Sequence, residues 1–434
     1  MTQELALKVM QSGHNVFITG GAGTGKSYLL GLFREWHDRK KSGLVVTAPT
    51  GIAALNVQGR TIHSAFKLPP TRMNIEEWKA TYTRDRKKAS YIRLSILKIK
   101  TLVIDEISMV HADTLDLIDG IMQWATHDKK PFGGVQVIVI GDFFQLEPIN
   151  KPRKKNDIYF DEMWEASADK NKFAWKSKVW SKAKFKTCYL TQKYRQSEGD
   201  KLVEVLDAIR EGRGEDAQPL LHAMKHDRED TVKLYTKNVN VDALNLLELN
   251  KLDTEEKIHI AKERGSEYFI KNFYKNSLWQ KELTLKVGAL VMFIINDPME
   301  RYVNGSMGRI ESYRGNTPLV RLVDGSLVLA EAVENEIKIN NEYQATVTQI
   351  PLKLAWAITI HKSQGLTLES LEIDLEDVFT YGMGYVALSR AKSYEGINLI
   401  GYNQLALKVN PYSLFIDAYM KRASAKTEEE FRNV

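Results

Sequence analysis

Short apolar runs alternate with helical patterns through the first half of the chain. Val16–Thr19, Leu44–Ala48, Leu102–Asp105 and Val135–Ile140 read as strands, and they are near-continuously apolar, as strands covered on both faces are. Ser27–Trp36 and His111–Ala125 read as helices between them. In the second helix Leu115, Ile118, Met122 and Ala125 recur at helical spacing and share one face. Such alternation predicts a parallel sheet with flanking helices, whose chemistry gathers outside the carboxyl ends of the strands. The second half repeats the rhythm, with strand-like runs at Tyr189-Leu190 and Leu352–Ile360 and a helical segment at Gly384–Ala391. Leu283–Val333 differs. There, short alternating runs are punctuated by Val287-Gly288-Ala289, Val303-Asn304-Gly305-Ser306 and Asp324-Gly325, which predicts a small β-barrel.

Each strand of the first half ends in a polar or glycine-bearing motif. Residues 20–27 read Gly-Gly-Ala-Gly-Thr-Gly-Lys-Ser, between an apolar strand and a helix. In that context the spacing is a phosphate-binding loop. Backbone N–H groups of Gly21, Ala22, Gly23, Thr24 and Gly25 would surround the phosphates, Lys26 would reach the β- and γ-phosphates, and Ser27 would hold Mg²⁺. After Leu102-Val103-Ile104 come Asp105 and Glu106, a carboxylate for the metal and a neighbour able to activate water. After Val135–Ile140 comes Gly-Asp-Phe-Phe-Gln-Leu-Glu-Pro, which places Gln145 to sense the γ-phosphate. Thr50 and Gly51 open a helix whose free N–H groups suit a second phosphate, that of a nucleic-acid backbone. Arg195 and Arg390 are guanidiniums far downstream, and a guanidinium stabilises charge on a transferring phosphoryl group. A two-lobed motor that closes on ATP and reopens on hydrolysis would use them in this way.

Composition narrows the class without deciding the function. With 434 residues the chain predicts more than one domain, and 43% hydrophobic with 27% charged residues describes an ordinary globular protein. No apolar run reaches membrane-spanning length, and the start of the chain carries no targeting pattern, so a cytoplasmic location is expected. The lone Cys188 excludes a disulfide framework and is expected to be buried packing. A net charge of +6 is mild evidence for a polyanionic partner. Local clusters say more. One runs from Arg84 to Lys100; another holds Lys151, Arg153, Lys154 and Lys155 and continues through Lys176–Lys186, interleaved with Trp164, Phe173, Trp175 and Trp180. Most of these aromatics are expected to anchor a loop rather than stack on bases.

Taken in order, GGAGTGKS, TAPTGIAA, VIDEIS, GDFFQLEPI, LTQKYRQ, TIHKSQGLT and GYVALSRAK resemble the motifs of the PIF family of superfamily 1 DNA helicases, which are related to RecD. The resemblance runs from about residue 3 to residue 400 and implies an α/β fold of two RecA-like parallel-sheet cores (a P-loop NTPase). It further implies a first core over 1–180 with a basic wedge element at 67–98, and a second core over 181–275 and 340–425. A small inserted β-barrel would occupy 276–339 and a tail 426–434. The implied activity is ATP- and Mg²⁺-dependent 5′-to-3′ movement on single-stranded DNA with unwinding of tailed or forked duplexes by a monomer. G-quadruplex and RNA–DNA hybrid stay open as substrates.

By the same resemblance Lys26 and Ser27 match the phosphate and Mg²⁺ groups, Asp105 the metal-associated carboxylate, Glu106 the catalytic base and Gln145 the γ-phosphate sensor. Arg195 and Arg390 match the second-core arginines, Gly365 falls in a nucleotide-contacting motif, and Gln3 lies where the family has an adenine-reading glutamine. Pro49, Thr50, Gly51, His63, Phe66, His361, Lys362 and Ser363 fall in motifs that line the DNA track. Two departures stand out. Glu147 replaces a common proline, adding negative charge near the nucleotide cleft or the track, and Met383 replaces a glutamine before the Tyr-Val-Ala-Leu-Ser-Arg run. The acidic Thr427–Glu430 reads as a frayed helix end. Competing readings are an ATPase that remodels RNA or protein–DNA complexes, a nucleotide-gated strand-binding protein and a small-molecule kinase. The base and paired arginines speak against the second, and the downstream motifs against the third.

Overall fold

The computed structural model describes residues 1–40, 43–68, 72–148, 172–197, 199–225, 231–236, 241–275, 277–297, 299, 301–339, 342–360, 363 and 366–432. The chain forms two compact units, Met1–Tyr194 with Asn410–Val434, and Arg195–Val409.

The first unit is built on six parallel strands: β1 (Val16–Gly20), β2 (Leu44–Ala48), β3 (Arg60–Thr61), β4 (Thr101–Ile104), β5 (Gln136–Ile140) and β6 (Lys186–Leu190). Their order is β3-β2-β4-β5-β1-β6, so β1 lies inside the sheet, between β5 and β6. Strand alternation divides the core in two. Phe17, Leu102, Ile104, Val137 and Val139 face one layer, which contains Leu115, Ile118 and Met122 of helix Ala112–Thr126. Val16, Ile18, Val103, Ile138, Ile140 and Cys188 face the other, against helices Gln3–Gln11 and Lys26–Lys40. Cys188 is buried as expected, and burial pushes its thiol up to about 12.

The basic stretch expected as a wedge element contains two helices, Ile75–Tyr82 and Arg86–Leu97. Asn74 and Glu77 form a capping box on the first, and Asp85 caps the second. Trp78, Ile92 and Ile96 anchor the pair in the core, with Trp78 edge-on to Trp124 at 5.5 Å. Lys87, Lys88, Tyr91 and Leu94 remain exposed. The second basic cluster is only partly described, because Lys151, Arg153, Lys154, Lys155 and Trp164 lie outside the described residues. Phe173, stacked on Trp175, and Trp180, packed on Phe17 and Phe185, are anchors.

In the second unit a parallel sheet carries Ala357–Thr359, Val232–Tyr235, Leu371–Leu375 and Ile397–Tyr402, in that order. Antiparallel strands occupy Glu256–Leu354, a wider stretch than the expected 276–339. Five of them, in the order Leu327–Leu329, Thr317–Leu322, Met307–Arg314, Leu290–Phe293 and Leu352–Leu354, enclose their own core of Leu283, Val291, Phe293, Ile310 and Val320. Among the described residues this sheet does not close on itself, so the expected barrel is an open five-stranded sheet. Two smaller antiparallel sheets accompany it.

Four further expectations are corrected. The first core does not end at residue 180: β6 pairs along β1 from Val16 to Gly20, and the unit runs to Tyr194. The run Leu352–Ile360 is two strands serving different sheets, a distinction that its mostly apolar composition does not reveal. The C-terminal residues belong with the first unit, not the second core. Helix Pro411–Phe431 packs on β6, where the Ser424 hydroxyl accepts the Tyr189 N–H at 2.9 Å and Tyr189 Oη donates to Asp417 at 2.8 Å. Nor is its end frayed, since Thr427 and Phe431 are buried and Lys186 holds Glu430 at 2.7 Å.

Phe431 joins the core layer of Val16 and Ile18. Phe431→Ala is therefore expected to lower unfolding free energy by about 3 kcal/mol in urea titration. A loss below about 0.5 kcal/mol, the ordinary surface value, would restore the frayed-tail reading.

Candidate nucleotide site

The loop after β1 turns as its glycines require. Gly23 and Gly25 both adopt φ of +77°, and a Cβ on Gly25 would stand 2.0 Å from Gln3 Nε2. Gln3, at the start of its helix, donates to the carbonyls of Thr24 (3.2 Å) and Gly25 (3.3 Å). Thr24 is buried, and its hydroxyl donates to the Gly21 carbonyl at 2.9 Å. Lys26 Nζ donates to the carbonyls of Gly20 and Gly21, both at 2.9 Å, which holds the ammonium over the concave side of the loop. Ser27 is exposed in the first turn of helix Lys26–Lys40. Ala22 is buried.

Asp105 follows β4, and its N–H donates to the Thr47 carbonyl at 2.8 Å while Thr47 Oγ1 donates to the Val103 carbonyl at 2.8 Å. The ends of β2 and β4 are thereby fixed together. Burial first, and the Glu106 charge next, push the Asp105 carboxyl up to about 7, with Lys26 pulling the other way. Glu106 itself occupies the left-handed region at φ 50°, ψ 46°, unusual for a residue with a side chain. After β5, Asp142 is fully buried, and its carbonyl and carboxylate accept the N–H groups of Gln145 (3.0 Å) and Phe144 (3.2 Å). This turn fixes the backbone beneath Gln145, which is also buried.

These groups suit a nucleotide with a divalent cation. Among the described residues no group of three or more His, Cys, Asp or Glu side chains is arranged to hold a metal ion. The Ser27 hydroxyl and the desolvated Asp105 carboxylate are the residues that would hold Mg²⁺, an ion that takes its other oxygens from phosphate and water.

The second-unit arginines share one support. Arg195 donates to the Ser389 carbonyl at 2.6 Å, and Arg390 donates to Ser389 Oγ at 2.8 Å and to the Val386 carbonyl at 3.0 Å. Burial, and then the Arg390 charge, push the Arg195 guanidinium down to about 9. Helix Met383–Leu388 stops short of Arg390, which sits in the turn beyond it. Met383 is buried packing at the start of that helix.

Residues expected on the DNA track divide. Pro49, Thr50 and Gly51 are half-buried at the start of helix Gly51–Asn56, with Thr50 Oγ1 accepting the Ala53 N–H at 3.2 Å. His63 is half-buried on the short helix Ile62–Phe66. Phe66 is corrected: its ring is fully buried in the core, so no face remains for a base. Ser363 is corrected too, being fully buried with its hydroxyl donating to the Ile360 carbonyl at 2.8 Å. His361, Lys362 and Gly365 lie outside the described residues. Glu147 does not add free negative charge to a cleft; it is buried against Lys172 and Asn410.

A model of the PIF1-like helicase family matches residues 3–218. An ATP-dependent DNA helicase Pif1 from Psychrobacter sp. is 34% identical over all of this chain and 73% of its own length. The chain belongs to the PIF1-like helicases. Homo sapiens PIF1 is 31% identical over 98% of this chain, which spans 64% of the human protein. Among solved structures, Bacteroides sp Pif1 in complex with ADP-AlF4 aligns with a TM-score of 0.80 at 32% identity, covering 96% of this chain and 97% of that one. Bacteroides Pif1 bound to ssDNA aligns at 0.63 with 32% identity, covering 98% of each chain. The two RecA-like parallel sheets of this PIF1-like helicase agree with that kinship.

Sequence reading missed Tyr194, whose N–H donates to the Gly23 carbonyl of the phosphate loop at 2.8 Å, and Ser389, which joins the two arginines. Both lie inside motifs already singled out, but a partner distant in sequence leaves no local signal.

The Asp105 shift has a sign that can be checked. The folded carboxyl holds its proton to about pH 7 against an ordinary value of 3.8, so the folded state binds the extra proton between these limits and loses stability as pH rises through them. Without nucleotide or divalent cation, Asp105→Asn is expected to raise the melting temperature by about 3 °C or more at pH 8. The gain should shrink as pH falls toward 4. A lower melting temperature for this variant at pH 8 would contradict the desolvated carboxylate.

Proposed function

We propose that this PIF1-like helicase is an ATP-dependent DNA helicase that moves 5′ to 3′ on single-stranded DNA and separates tailed or forked duplexes. The observation that carries the reading is the association of Lys26, after β1, with Asp105 and Glu106, after β4, at the carboxyl end of one parallel sheet in which β5 lies between those strands, in a chain of this family. The names of its relatives, and the ssDNA in the Bacteroides complex, support DNA as the polymer.

The roles follow from chemistry. Backbone N–H groups of Gly21–Gly25 and the Lys26 ammonium bind the phosphates. Ser27 and Asp105 are the residues that would hold Mg²⁺, which supplies charge neutralisation at the β- and γ-oxygens. Glu106 takes a proton from the attacking water. Gln145 reports whether the γ-phosphate is present, and Arg195 and Arg390 answer its developing negative charge. Gln3 orients the base. Pro49, Thr50, Gly51 and His63 contact the strand, together with His361 and Lys362, while the helices of 75–97 present basic and aromatic side chains for parting a duplex.

ATP turnover by the wild-type protein is expected to rise at least tenfold with single-stranded DNA, about 1.4 kcal/mol of barrier. Lys26→Ala should lose turnover while still retaining DNA on a filter or in anisotropy. A wild-type rate indifferent to DNA would favour a small-molecule kinase, and undiminished turnover in Lys26→Ala would remove the site assignment.

A further inference from the structure

The chain passes between its units twice, at Tyr194/Arg195 and at Val409/Asn410. In the first unit each passage is fastened to a loop of the nucleotide site. At the first, the Tyr194 N–H holds the Gly23 carbonyl, as described above. At the second, Asn410 caps helix Pro411–Phe431, its Oδ1 accepting the Tyr412 N–H at 2.9 Å. The other end of the same amide, Nδ2, donates to Glu147 Oε1 at 2.6 Å. One turn on, Ser413 Oγ donates to the Phe143 carbonyl at 2.6 Å. Phe143 and Glu147 flank Gln145, so the loop carrying the γ-phosphate sensor is gripped from both sides by the first turn after the passage.

The grip at Glu147 is built to last. Its side chain is 6% exposed and paired with the Lys172 ammonium, itself 15% exposed, so the carboxylate is neutralised where it stands. A charge-assisted bond in such surroundings is stronger and more directional than a neutral one at the surface. Both ends of the Asn410 amide are engaged, which fixes its orientation. A proline at position 147 has no side-chain acceptor and would leave the Asn410 N–H₂ unanswered there.

We infer that Glu147 is a positioning residue: through Asn410 it links the sensor loop to the second inter-unit passage, so that nucleotide state at Gln145 is passed to the backbone arriving from the second unit. The inference rests on the helicase reading above. It concerns the yield of movement per ATP rather than the chemistry of hydrolysis, because Glu147 belongs to neither the phosphate nor the metal group.

The test measures strand separation and DNA-stimulated ATP turnover in the same full-length preparations and takes their ratio. E147A and N410S are each expected to lower the ratio about fivefold, and the double variant no further than the worse single, as members of one interaction behave. Serine at 410 keeps a helix cap, so N410S stays informative even where E147A fails to fold. E147Q, which retains an oxygen for Asn410, should stay within about twofold of wild type. Unwinding and turnover falling in equal proportion, or fully multiplicative effects in the double variant, would overturn the inference. A wild-type protein with neither activity would instead remove the helicase reading, so the two failures are distinguishable.

Discussion

The desolvated Asp105 carboxylate is the constraint on which the rest depends. It ends a strand buried on both faces, next to a second carboxylate, and ionises readily only when positive charge answers it. Lys26 supplies part of that charge, and the donor set with Ser27 leaves room for a cation carrying phosphates. The unliganded site is thus less stable than its surroundings. A bound divalent cation would relieve that cost, so the site would gain more from a metal–nucleotide complex than an exposed carboxylate would.

Unfavourable local settings recur at other candidate site positions. Glu106 sits in a left-handed conformation that the tight turn after β4 imposes. Arg195 is desolvated beside Arg390, and both lean on Ser389. Arg390 is buried beside the half-buried Arg195, as Asp105 is buried beside the half-buried Glu106. Around these groups the fold is conventional. Apolar alternation splits the first sheet into two packed layers, and helix Pro411–Phe431 returns to cover β6. That return brings Asn410 and Ser413 onto the sensor loop and gives the second passage its anchor.

Much of this was legible in sequence because it is local. The phosphate loop, the carboxylates after Ile104 and the turn leading to Gln145 each depend on a few neighbouring residues, and each strand of the first sheet announces itself by an apolar run. What was not legible depends on distant partners. Nothing near Tyr189 says that Ser424 will meet it, so the sequence alone does not place the C-terminal helix with the first unit. An apolar run such as Leu352–Ile360 does not say that it divides between sheets. Phe66 and Ser363 lie within functional motifs, yet they serve by packing and loop fixation rather than by contact. Glu147, read as surplus charge, is neutralised by a lysine that sequence does not place beside it.

The claim that this nucleotide site drives directed movement along DNA is tested most directly by unwinding. Duplexes of identical sequence, one with a 5′ single-stranded tail and one with a 3′ tail, are incubated with ATP and strand separation is followed. The account predicts separation of the 5′-tailed duplex and little of the 3′-tailed one. Preference for the 3′ tail, or no ATP-dependent separation of either alongside DNA-stimulated turnover, would contradict it.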